Sequence, residues 1–202
     1  MQPLTVLKRL NLHRIDADHE RRTEVEHYVS QRYAAAFHAD LQEFMPEFLV
    51  MLDANDDIQS VCGFRRAQHD ALFLEQYLPQ PADRILADKL GTQVERDKLV
   101  EFGQLASFSH GFSLQHFYLV LQALMADGYR WGIFTATDPL FAMLRRFGLE
   151  PTILAPAQAV CIPDSTRIWG TYYDHCPRIM AGDLSVGIEQ LEQRLARRGL
   201  YL

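Results

Sequence analysis

The chain has 202 residues, 48% of them hydrophobic and 23% charged, and a formal net charge of −6. A chain of that length suits one domain with a core large enough to need neither disulfide nor metal. The acidic balance argues against a nucleic-acid partner, which needs a basic surface, and gives no attraction to anionic lipid.

Three cysteines, Cys62, Cys161 and Cys176, lie far apart and form no CxxC pair. That pattern reads as free thiols in a reducing compartment, with no metal site. The segment "MQPLTVLKRLNLHRIDADHERR" has no long apolar run, so it does not read as a secretory signal. No window approaches the roughly 20 apolar residues that span a bilayer. The expectation is a cytoplasmic protein with no transmembrane segment and no nucleic-acid partner.

In chain order, Val25, Tyr28, Val29, Tyr33, Ala36 and Phe37 recur at helical spacing and predict a helix over 20–39. "EFLVMLD", the turn "ANDD" and "IQSVCGFRRA" form a hairpin signal. "ALFLEQYL" (71–78) reads as a third strand, and "PADRILADKLG" as a helix stopped by Gly91. "DKLVEFGQLAS" (97–107) predicts a strand. A helix follows over 113–126, with Ser113 as its cap and Gly128 as its stop. "YRWGIFTAT" is the next strand, Asp138-Pro139 opens a helix that ends at Gly148, and "LEPTILAPA" is a further strand. The segment 158–202 reads as a C-terminal extension packed on a single domain, 1–202. It contains "RIWGTYYDHCPRIMAGD" and a helix from about Ser185 to Arg198, with arginines 194, 197 and 198 in its last turn. The expected class is α/β: a mixed sheet with an antiparallel N-terminal meander, flanking helices and a C-terminal helix.

Two acids stand inside apolar runs, Glu101 in "LVEFGQLA" and Glu75 in "LFLEQYL". An unpaired acid is costly to bury, so each is either a working group or one half of an internal ion pair. Alternation puts Glu101, Gly103 and Leu105 on one strand face, and Phe102 and Gln104 on the other. Arg65 and Arg66 follow Gly63 on the preceding strand. They can pair with these acids or clamp a carboxylate ligand. The loop "SFSHGFS" precedes a helix, and a helix N-terminus can hold a phosphate, although one glycine before a helix is also an ordinary turn. The adjacency of His175 and Cys176 is no evidence of a nucleophile pair, and Trp169, Tyr172 and Tyr173 suit either a channel wall or core packing.

The order of elements resembles the GNAT acyltransferases. In their terms, "SFSHGFS" keeps the central glycine of the pyrophosphate loop without its basic position. "FAMLRRFGL" matches the later helix, with Leu144 where those enzymes often carry a tyrosine acid. The stretches "CGFRRA", "LFLEQYL", "VEFGQLAS", "WGIFTATDPLFAMLRRFGL" and "WGTYYDHCPRIMAGD" together resemble the thermostable hemolysin family over about residues 20–185. That family is similar in fold to the acyl-homoserine lactone and N-acyl amino acid synthases. The resemblance implies an N-acyltransferase that takes an acyl group from acyl-CoA, or from the phosphopantetheine thioester of an acyl carrier protein, to a small amine such as an amino acid. It implies Glu101 as the residue that binds or deprotonates the acceptor; Glu75, from its place in an apolar run, is the second candidate catalytic acid, and Arg65, Arg66 and Gln104 are the candidate acceptor-binding residues. Gln104 stands where those synthases have an arginine. Leu105, Ser107, Ser109, His110, Gly111, Phe112 and Ser113 would hold the thioester donor. Arg145 and Arg146 are candidates to meet a carrier protein. The alternatives are a membrane-active hemolysin without catalysis, or a degenerate domain that only binds an acyl ligand.

Overall fold

Phe48 to Leu52 are buried at every position, so this strand is covered on both faces. It is β2 (Glu47–Leu52) of a seven-stranded sheet in the computed structural model, which describes residues 11–69, 71–107 and 114–199. The elements in chain order are β1 (Asn11–Ile15), α1 (Arg22–Phe37), β2, β3 (Ile58–Arg66), α2 (Ala82–Leu90), β4 (Leu99–Ala106) and α3 (Leu114–Ala126). There follow β5 (Trp131–Ala136), α4 (Asp138–Phe147), β6 (Thr152–Pro156), the short α5 (Ser165–Trp169), β7 (Arg178–Asp183) and α6 (Leu184–Arg197). The sheet order is β1-β2-β3-β4-β5-β7-β6. Neighbouring strands are antiparallel except β4 and β5, which are parallel and joined by the α3 crossover. The class is therefore the expected mixed sheet with an N-terminal meander.

Helix boundaries follow from ordinary signals. Gly91 and Gly148 end α2 and α4 in the left-handed region that glycine tolerates. The Asp183 carboxylate caps α6 by accepting the Ser185 and Val186 N–H groups.

Three elements differ from expectation. The stretch 71–78 is not a strand: Phe73–Tyr77 is a 3₁₀ turn. Its amides find carboxylates instead of a neighbouring strand, Leu72 N–H donating to Glu75, and Phe73 and Leu74 N–H to Glu101. Asn11–Ile15 adds an edge strand to the meander. Within 158–202, Arg178–Asp183 enters the sheet between β5 and β6, so this segment supplies an inner strand.

The two faces of the sheet are covered differently. On one, α3, α4 and α6 lie over Val100, Phe102, Phe134 and Met180 as one continuous apolar cluster. On the other, two clusters stand apart. One joins Val25, Val29 and Tyr33 of α1 to Phe48, Val50 and Val61. The second joins Ala82 and Leu86 of α2 to Leu99, Ile133 and Ile179. Arg65 and Glu101 sit opposite each other on β3 and β4, and both line a cavity on this face.

Candidate active site

Gly63 pairs with Gly103 across β3 and β4. A Cβ on Gly63 would lie 2.7 Å from Met45, and one on Gly103 3.0 Å from its methyl carbon. Both glycines therefore let the chain before β2 descend onto the sheet. Just beyond, two steps along β3 (Gly63 to Val61) answer three along β4 (Gly103 to Ala106), a bulge with Gln104 at φ +47°. The bulge breaks the alternation expected for this strand. The Gln104 amide accepts the Met45 N–H (2.8 Å) and donates to the Glu43 carbonyl (2.8 Å). Met45 thus meets Gly103 and Gln104 alike, so Gln104 works on the Gly103 side of the sheet rather than the Phe102 side.

The β4–β5 ladder also ends early. Its pairs are Leu99–Trp131, Val100–Gly132 and Glu101–Ile133, although both strands continue. Past that point Phe102 and Phe134 stack at 4.5 Å. Among the described residues, two cavities here adjoin Gly103 and Gln104. The first, about 320 Å³, is lined by Glu101, Arg65, Phe73 and Tyr77, by Leu41–Met45, and by Trp169 and Tyr172. The second, about 240 Å³, is lined by Arg32, Leu105, Ser107, Thr137, Leu140 and Met143. They share Tyr33, Phe102, Gly103, Gln104, Thr135 and Tyr172 as common walls.

The roof of the first cavity joins segments distant in sequence. Asp40 N–H donates to the Ile168 carbonyl (2.9 Å) and Thr171 N–H to the Phe37 carbonyl (2.8 Å). Gly170, at φ +55°, lies so near Phe37 that a Cβ would fall 2.0 Å from its carbonyl oxygen. Aromatic rings continue the roof: Trp169 contacts Tyr33, Phe73 and Tyr172, and the Tyr77 and Tyr173 hydroxyls share a 2.7 Å hydrogen bond.

Glu101 is 3% exposed. One carboxylate oxygen accepts the Phe73 N–H (2.7 Å) and the other the Leu74 N–H (3.0 Å). Burial pushes the carboxyl up to about 7 against those two bonds and the positive charge of Arg65. An acid poised there, in a cavity wall, suits proton transfer near neutral pH.

The other acid has a different fate. Glu75 lies in the 3₁₀ turn and lines neither cavity. Its oxygens accept the Leu72 and Ala82 N–H groups at 2.9 and 2.8 Å, and Arg96 binds both at 2.7 and 3.0 Å. Burial raises this carboxyl, but Arg96 and the two N–H bonds outweigh it and hold it below the usual carboxylate value. These contacts make Glu75 a tie between the turn, α2 and the start of β4.

The two arginines also divide. Arg65 lines the first cavity and donates to the Ala71 carbonyl (3.3 Å), whereas Arg66 is held by Glu47 (2.8 Å) and lines neither cavity. Leu105 and Ser107 line the second cavity, while Ser109, His110, Gly111, Phe112 and Ser113 lie outside the described residues. Leu144 is buried in the core of the opposite face and lines neither cavity. His116 is buried beside Ser60 (2.7 Å), and burial lowers its imidazole to about 3.

Sequence reading passed over Arg32, Thr135 and the Leu41–Met45 strap. Only the roof's aromatic residues gave a signal, in "RIWGTYYDHC", and there Trp169 and Tyr172 line the cavity.

The fold has counterparts among known proteins. The sequence profile of the thermostable hemolysin family matches residues 15–188. No curated protein matches the chain. Among solved structures, FeeM, an N-acyl amino acid synthase from uncultured soil microbes, is 14% identical with a TM-score of 0.63, over 91% of this chain and 95% of that one. The acyl-homoserine lactone synthase LasI is 11% identical with a TM-score of 0.60, over 88% of this chain and 91% of its own. BjaI, a CoA-dependent acyl-homoserine lactone synthase solved with SAM and isopentyl-CoA, is 12% identical with a TM-score of 0.59, over 96% of this chain and 91% of its own. At these identities the likeness is one of fold.

Proposed function

The chain belongs to the thermostable hemolysin family, and on that footing we propose that it is an acyltransferase moving an acyl group from a thioester to a small amine. The observation that carries this reading is Glu101: a buried carboxyl poised near 7, in a cavity wall where the parallel ladder stops and a second cavity begins. In the reaction, an ammonium in the first cavity gives a proton to Glu101, and the freed nitrogen attacks the thioester carbonyl carbon. Backbone N–H groups of Leu105–Ser107, beyond the bulge, hold the oxyanion. The carbon–sulfur bond then breaks, the attacking nitrogen loses its second proton, and the sulfur takes up that proton and leaves as a thiol. Arg65, one strand from Glu101, receives the acceptor's carboxylate when the amine is an amino acid. The likeness to FeeM, an N-acyl amino acid synthase, and to BjaI, a CoA-dependent acyl-homoserine lactone synthase, supports the thioester and amine classes. Exposed Arg145 and Arg146 on α4 suit a carrier-protein donor.

A directly lytic reading finds less support. No helix among the described residues is long and apolar enough to cross a membrane. Of the apolar residues of α6, Leu191 and Leu195 lie within the core and Ile188 packs against it, while Val186 is exposed.

The test is thiol release from acyl-CoA and acyl-carrier-protein thioesters against a panel of amino acids. Release that requires both donor and acceptor is the expected result. No release with any pair, together with donor-free leakage of liposomes, contradicts it.

A further inference from the structure

Half-buried arginines in this protein usually hold a carboxylate. Arg22 pairs with Glu26 (2.7 Å), Arg66 with Glu47 (2.8 Å) and Arg96 with Glu75 (2.7 Å). Two that line the cavities do not: Arg65 in the first and Arg32 in the second form no ion pair among the described residues. Arg32 is half-buried on α1, and its Nε donates to the Ser107 carbonyl (2.8 Å) at the end of β4. That one bond anchors the guanidinium beside the cavity that meets the Glu101 cavity at Tyr33, Gly103 and Gln104. A guanidinium partly removed from water gains most from an anion that it can bind with two N–H groups. In a chain of net charge −6, no neighbouring carboxylate has taken that place.

We propose that Arg32 binds the phosphate of the donor's phosphopantetheine arm. The inference rests on the acyltransferase reading, in which a thioester arm lies in the second cavity with its carbonyl near Glu101. Coenzyme A and carrier proteins present the same phosphopantetheine, so this chemistry serves either donor.

The test is calorimetric and independent of turnover. The wild-type protein is titrated with 4′-phosphopantetheine and with pantetheine, which lacks the phosphate. The expected preference for the phosphorylated ligand is on the order of 10- to 100-fold. Arg32→Gln keeps a donor for the Ser107 carbonyl and removes that preference, while Arg32→Lys retains part of it. A circular-dichroism melt confirms that each variant folds. A preference unchanged in Arg32→Gln, or absent in the wild type, overturns the proposal. Arg32-dependent preference in a protein that releases no thiol keeps this site and removes the acyltransferase reading instead.

Discussion

The two faces of the sheet solve the same burial problem in different ways. Under α3, α4 and α6 the apolar side chains close into one cluster, from Leu49 through Phe102 and Phe134 to Leu195. Opposite, the cover divides between α1 and α2, and Arg65, Glu101 and the first cavity occupy the gap. One face is built for stability. The other forgoes apolar contact in its middle and holds an acid there through two backbone N–H bonds.

Substitutions on either face sharpen this contrast. Leu191 is fully buried in the continuous cluster. Leu191→Ala should cost about 3 kcal/mol of stability by urea denaturation, with KM for any accepted substrate unchanged. A KM shift as large as the stability loss would mean that the closed face is not separate from the site.

The second expectation concerns pH. Glu101 rises from an ordinary value of 4.5 to about 7 in the folded protein. The folded state therefore holds its proton more tightly than the unfolded state does. The stability this contributes is fully present below about 4.5 and is lost as pH rises through about 7, on the order of 3 kcal/mol in all. Glu101→Gln should lack that slope, which unfolding at pH 5 and pH 8 will read. Parallel pH dependence in the two proteins would show that Glu101 is not perturbed.

The smallest expected effect belongs to the other acid. Glu75→Gln leaves Arg96 and two amides poorly matched and should cost about 2 kcal/mol, with kcat within a few-fold of wild type. A collapse of kcat in a variant that melts normally would return Glu75 to the chemistry.

The pair Glu75 and Glu101 also marks how far the sequence can be read. Each is an acid in an apolar run, and nothing local distinguishes them. The distinction comes from Arg96, 21 residues beyond Glu75, and from a 3₁₀ turn that brings amides to both carboxylates. The hairpin, α2, α4 and α6 were legible because their caps and turns lie within a few residues of them. β7 was not: "RIMAGD" is a strand because β5 and β6 flank it, a tertiary condition. The joint that seats the roof escaped notice for the same reason, since Asp40 meets Ile168 through a backbone hydrogen bond. Gln104 misled the alternation because a left-handed residue inside a strand leaves no compositional trace unless it is glycine.

The central claim is that Glu101 takes the acceptor's proton. The most direct measurement is thiol release by wild type and Glu101→Ala under identical donor and acceptor, with folding of both checked by thermal melt. The account predicts a fall of roughly 10²- to 10⁴-fold in kcat/KM for the variant. A folded Glu101→Ala variant with wild-type turnover would contradict it.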